Sequence, residues 1–135
     1  TPNALASYRG VDPNSITVDD MRGVTEDEAR SIYRQDYYER PKIDQLPADL
    51  RESVFDMYIN AGGNAIKILQ RAAGLSGDEV DGAIGPKTIA AIEAADISPE
   101  DYADARISYY EGVAERDPDK AKYLNGWIKR ANKYR

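Results

Sequence analysis

The stretch VFDMYINAGGNAIKILQRAAG (Val54–Gly74) decides the fold. Together with Leu50 just upstream, its Val54, Met57, Tyr58 and Ala61 recur at i, i+3, i+4 spacing, which draws one apolar stripe down a helix. Phe55 and Ile59 widen that arc beyond a single stripe, so the segment reads as a central, mostly buried helix. Pro47 suits its first turn. Gly62-Gly63 interrupts the pattern, which resumes over Asn64–Ala73 with Ile66, Leu69 and Ala73 on one side. Gly74 is a natural residue to close that second helix.

Working outward, Ser76–Gly85 reads as a loop. In it Asp81 can bond its own backbone two residues on, and Gly82 or Gly85 can supply a positive φ. Pro86 opens a helix through Ala95 that carries Ile89 and Ile92, and Thr88 near its start can cap or pack. Ser98 with Pro99 starts another, reaching about Glu115, with Tyr102, Arg106, Tyr109 and Val113 on one side. Asp117 with Pro118 starts the last, in which Ala121, Leu124, Ile128 and Ala131 face inward beside Trp127. On the N-terminal side, Thr25-Glu26-Asp27-Glu28 fits a capping box. The helix it opens puts Ala29, Ile32, Tyr33 and Tyr37 on one face and stops at Pro41. Thr17 can cap a short helix through Met21, and Asn3–Arg9 reads as a short helix or the tail of one. No alternating strand pattern of useful length occurs. The expectation is an all-α chain, one domain over residues 1–135, with about six helices around the Pro47–Ala61 helix.

Composition narrows the chemistry. The 135 residues contain no cysteine and no histidine. That removes disulfides, thiolate metal sites, most zinc sites and the nucleophilic schemes that need an imidazole. Carboxylate, Lys and Tyr remain for acid–base work, and carboxylates are what glycoside hydrolysis uses. No cofactor and no metal site is expected; Asp78-Glu79-Val80-Asp81-Gly82 lacks the alternating ligands and closing Glu of a calcium loop. The net charge of −6 makes the chain a poor partner for nucleic acid and gives no general attraction to an anionic wall. No apolar run approaches the ~20 residues of a membrane helix. The segment Lys120–Arg135 is locally basic. Ten of the twelve aromatics are Tyr, which can pack on a sugar ring and still hydrogen-bond.

Within the central helix, Asp56 and Asn60 lie one turn apart and are expected to point the same way. A carboxylate and an amide aimed into a cleft suit a sugar N-acetyl or hydroxyl group, and partial burial is expected to raise the Asp56 pKa. The plain alternative is an arc that faces water, or an Asp56 that caps a neighbouring helix. Tyr37, Tyr38, Tyr109, Tyr110 and Trp127 are candidate stacking platforms. Adjacent tyrosines on a helix point about 100° apart, so only one of each pair is expected in the core.

Several of these blocks, in this order, resemble glycoside hydrolase family 108, a lysozyme-like family. Asp36-Tyr37-Tyr38 is similar to its DYW motif, with Tyr38 in place of Trp. Val54-Phe55-Asp56 and Asn60-Ala61-Gly62 resemble its VFD…NSG block. Leu69-Gln70-Arg71-Ala72, followed by Asp81-Gly82 and Ile84-Gly85-Pro86-Lys87-Thr88, resembles its predicted peptidoglycan-binding region. Asn125-Gly126-Trp127-Ile128-Lys129-Arg130 resembles its closing GWLNR segment.

The resemblance implies a lysozyme-like part over residues 1–63 and a peptidoglycan-binding part over 64–135. The parent protein would be an endolysin-type N-acetylmuramidase of bacterial or phage origin, acting in the periplasm or cell wall on the glycan strand of peptidoglycan. It implies a catalytic glutamate in an opening segment of the form EGGYVNDPDDPGG. No such segment occurs among these residues, so the catalytic residue is unassigned and the chain is expected to be a piece without it. Asp56, Asn60, Tyr38, Tyr109 and Trp127 are then the expected substrate-binding residues. The alternative is a non-catalytic peptidoglycan-binding module.

Overall fold

A computed structural model describes all 135 residues, Thr1–Arg135. It is all-helical: α1 (Pro2–Arg9), α2 (Val18–Arg22), α3 (Glu26–Arg34), α4 (Ala48–Ala61), α5 (Asn64–Ala72), α6 (Pro86–Ala95), α7 (Pro99–Arg116) and α8 (Leu124–Lys133), joined by short 3-10 turns and one π turn, with no strand. The chain forms two compact units, Thr1–Lys42 and Ile43–Arg135. This division falls upstream of the Gly62-Gly63 break at which the sequence pattern divides.

The first unit contains α1 to α3 and the π turn Gln35–Glu39. Its α2 is capped reciprocally: Thr17 Oγ1 accepts from the Asp20 N–H, and an Asp20 carboxylate oxygen accepts from the Thr17 N–H. The box expected at Thr25 is only half made. Thr25 Oγ1 accepts from the Glu28 N–H at 3.1 Å. The Glu28 carboxylate, however, is engaged by the Arg9 guanidinium at 2.8 and 3.0 Å, an ion pair that ties α1 to α3. A charged fork outcompetes a neutral backbone donor for that carboxylate.

The second unit is organised by α4, which packs on α5 and α7, while α7 also packs on α8. Leu50, Val54 and Met57 of α4 are fully buried, as the stripe predicts. Ile59 is not: it is 42% exposed, so the apolar arc of α4 is narrower than its sequence implies. In the C-terminal segment, Pro118–Tyr123 is 3-10 and α8 begins only at Leu124. That shift leaves Ala121 exposed, while Ala131 is fully buried as expected.

Gln70, on α5, fixes the loop that follows. It is fully buried, its Nε2 faces Asp81 Oδ1, Ala83 O and Thr88 Oγ1 at 2.9–3.1 Å, and its Oε1 accepts from the Gly82 N–H. Asp81 Oδ1 also accepts from the Ala83 N–H at 3.0 Å, the expected bond two residues on. Gly82 supplies the positive φ of 76°, whereas Gly85 is extended at −138°.

Candidate functional site

Two neighbouring features of the second unit bear on function, one an ion-pair core and the other an open groove.

The core joins α4, α7 and α8. Arg106 lies in the buried stripe of α7 with no exposed surface. Its Nη1 donates to Ser53 O and Ser53 Oγ, and its Nη2 donates to Asp56 Oδ2 at 2.8 Å. Arg130 of α8 forks onto both oxygens of the same carboxylate, and the Tyr134 hydroxyl donates to Oδ1 at 3.4 Å. Burial alone would push Asp56 up, as the sequence suggests. The guanidinium groups of Arg130 and Arg106 more than offset it and hold the carboxyl below its usual range. The expectation of a raised pKa is therefore overturned, and Asp56 is an ionised anchor at neutral pH. This meets the requirement that a buried charge be paired and hydrogen-bonded.

The groove has a volume of about 280 Å³, near the lower end for ligand sites. The end of α4 gives it Asn60 and Ala61, the start of α5 gives Asn64, and α7 gives Tyr109, Tyr110 and Val113. Lys120 and Tyr123 come from the 3-10 stretch, and Trp127 from α8. Trp127 stacks on Tyr110 with centroids 4.9 Å apart and planes 23° apart, and Tyr123 leans on its ring at 5.8 Å. Tyr110 is buried, held above its usual pKa by that burial, and its hydroxyl lies 3.3 Å from Asn60 Oδ1. Asn60 is exposed, so the tyrosine orients its amide without removing it from solvent. Asn64 donates to Ala61 O at 3.2 Å, which stitches the corner between α4 and α5. The floor is thus a fixed aromatic stack, and the rim carries amide and hydroxyl groups. That combination is suited to packing on the apolar face of a sugar ring and hydrogen-bonding its substituents.

The structure brings together Asn60, Tyr109, Tyr110 and Trp127 of the residues singled out from sequence. It separates Asp56, which points into the ion-pair core and not into the groove. Tyr38 lies in the first unit, on the π turn, with the Arg34 guanidinium 4.9 Å from its ring centroid. Of the tyrosine pair on α7, Tyr110 is the buried member and Tyr109 is half-buried. Sequence reasoning missed Asn64, Lys120 and Tyr123, and it gave no role to Arg106 or Gln70. A signal for Arg106 existed: a lone charge between Tyr102 and Tyr110 in an apolar stripe needs a buried partner.

The fold is all-α, of a lysozyme-like kind, and its second unit carries an open aromatic groove. Residues 1–62 match the family Glycosyl hydrolase 108, and residues 64–132 match the family described as Predicted Peptidoglycan domain. The chain belongs to the Predicted Peptidoglycan domain family, carries a Glycosyl hydrolase 108 match ahead of it, and is a peptidoglycan hydrolase-like protein whose partner is peptidoglycan. Among solved structures it is similar to Brucella abortus SagA, with 28% identity and a TM-score of 0.71, covering 99% of this chain and 73% of that one. No curated protein matches it. The boundary between the two family matches falls at the α4–α5 corner, inside the second compact unit. Asp56 lies on one side of that boundary and Arg106 and Arg130 on the other, so one ion-pair core serves both sequence families.

Proposed function

We propose that this chain is the glycan-holding body of an endolysin-type N-acetylmuramidase, and that the sugar strand lies across Trp127, Tyr109 and Tyr123 with Asn60 at its rim. The observation that carries this reading is the Trp127–Tyr110 stack, which presents a fixed aromatic face beside a solvent-accessible amide in a chain of this family. Trp127, Asn60 and Tyr109 are the binding residues. Tyr38 would act separately, from the first unit. Asp56 contributes by holding α7 and α8, the two helices that supply Tyr109, Tyr110 and Trp127, on α4.

The groove binds and does not cleave. Glycoside hydrolysis takes two carboxyl groups flanking the bond, roughly 5 to 9.5 Å apart. No Asp or Glu lines this groove, and the nearby Asp56 is committed to two arginines. The same observation favours a second reading, a peptidoglycan-binding module without chemistry of its own. In either case the site of action is the bacterial wall or periplasm.

Incubation with purified insoluble peptidoglycan separates these readings. The account predicts that the chain sediments with the wall and that the supernatant stays free of reducing muropeptides. Soluble muropeptides with reducing muramic ends would show a catalytic carboxylate within these residues. Failure to sediment would remove the binding reading.

A further inference from the structure

Charge is unevenly placed in this acidic chain. From Asp117 to Arg135 there are six cations, Lys120, Lys122, Lys129, Arg130, Lys133 and Arg135, against only Asp117 and Asp119, while the whole chain carries −6. Most of those cations are committed. Arg130 is bound to Asp56, Arg135 pairs with Asp104 at 2.8 Å, and Lys122 and Lys133 sit over the rings of Tyr123 and Tyr134. Lys120 is the single charged residue that lines the groove. Its partner, Asp117, is 4.0 Å away with both side chains about half exposed. Such a pair is worth little and is easily exchanged for another carboxylate.

We propose that Lys120 is a specificity-determining residue that makes the groove prefer glycan bearing a carboxylate, and hence muramyl strands over neutral chitin-type strands. This rests on the reading of the groove as a glycan site. A sugar lying on Trp127 brings its substituents within reach of the Lys120 ammonium, which rides on a flexible four-carbon stem. A neutral N-acetylglucosamine polymer offers that ammonium nothing. A muramyl strand offers a carboxylate, either the free lactyl acid of peptide-free glycan or an acid on the stem peptide. The acidic remainder of the molecule would repel the same ligand elsewhere, which confines the attraction to this end of the groove.

The test uses the full chain and three soluble tetrasaccharides: chitotetraose, the peptide-free N-acetylglucosamine–N-acetylmuramic acid dimer, and that dimer bearing stem peptides. Binding is followed by the fluorescence of Trp127, the only tryptophan, for wild type and for Lys120→Met, which keeps the apolar stem. Wild type should prefer an acidic strand over chitotetraose by roughly two- to fivefold, the range of an exposed ion pair, and raised salt should shrink that preference. Lys120→Met should erase it while leaving chitotetraose affinity unchanged. A preference present in the peptide-free dimer assigns the carboxylate to the lactyl group, and one that appears only with stem peptides assigns it to the peptide. An unchanged acidic-to-neutral ratio in Lys120→Met overturns the proposal and leaves the glycan groove standing. Absence of binding by all three sugars overturns both.

Discussion

Arg106 of α7 and Asp56 of α4 form an ion pair at 2.8 Å in which the two side chains are 0% and 5% exposed. Arg106 spends its remaining Nη donor on Ser53, and its Nε has no partner. The pair spans the boundary between the two family matches and fixes α7 against α4. Asp56→Ala should therefore cost about 3–5 kcal/mol, because it strands a buried guanidinium. Arg130→Ala removes the other partner, whose side chain is 58% exposed, and should cost about 1 kcal/mol or less. Urea denaturation of the two variants checks the ranking. Equal losses would contradict the account in which Asp56→Ala strands the buried Arg106 while Arg130→Ala removes only an exposed partner.

The same carboxylate sets an acid limit. Its native pKa lies below its unfolded value because Arg130 and Arg106 outweigh the upward push of burial. The stabilisation is complete above the unfolded value of about 4 and is lost as pH falls through the depressed native value. Denaturation midpoints should thus drop between neutral pH and pH 3 for wild type, and drop less steeply for Asp56→Asn, which has no proton to take up. Parallel curves for the two would exclude Asp56 as a contributor to acid sensitivity.

At the corner between α4 and α5, Gly62 has φ 59° and ψ −137°, a region that side chains avoid, while Gly63 has an ordinary φ of −58° and open space where a Cβ would stand. Gly62→Ala should cost about 1–3 kcal/mol in backbone strain. Gly63→Ala should cost about 0.5 kcal/mol or less. Because Asn60 and Asn64 flank the corner, Gly62→Ala should also weaken sugar binding, and Gly63→Ala should not.

Gln70 offers a test of loop order. Gln70→Ala leaves the Gly82 N–H without its acceptor and Thr88 without its donor, a loss of about 1–3 kcal/mol. Hydrogen exchange at Gly82 should accelerate markedly while amides of α7 stay protected. Uniform acceleration would mean that the loop and the core open as one.

How much of this was legible in the sequence follows from what each signal reports. Period and punctuation placed the helices, because the Leu50–Val54–Met57 stripe and the Gly62-Gly63 break are local. The aromatic floor was partly legible too, since Tyr109 and Trp127 stood out by type. The partner of Asp56 was not, because Arg106 and Arg130 lie 50 and 74 residues downstream and no local pattern links them. The error over the Asp56 pKa has the same origin: burial can be guessed from neighbouring apolar residues, but a long-range cation cannot. Ile59 and Ala121 misled because apolar type does not guarantee burial at the end of a helix or in a 3-10 turn.

The central claim is that the groove around Trp127 holds the glycan strand. Its most direct test is the indole N–H resonance of Trp127, the only tryptophan in the chain, during titration with the soluble N-acetylglucosamine–N-acetylmuramic acid tetrasaccharide. The account predicts a saturable shift of that resonance, accompanied by the side-chain amide of Asn60, and loss of both in Tyr123→Ala. An indole resonance that stays fixed while the sugar binds elsewhere on the chain would contradict it.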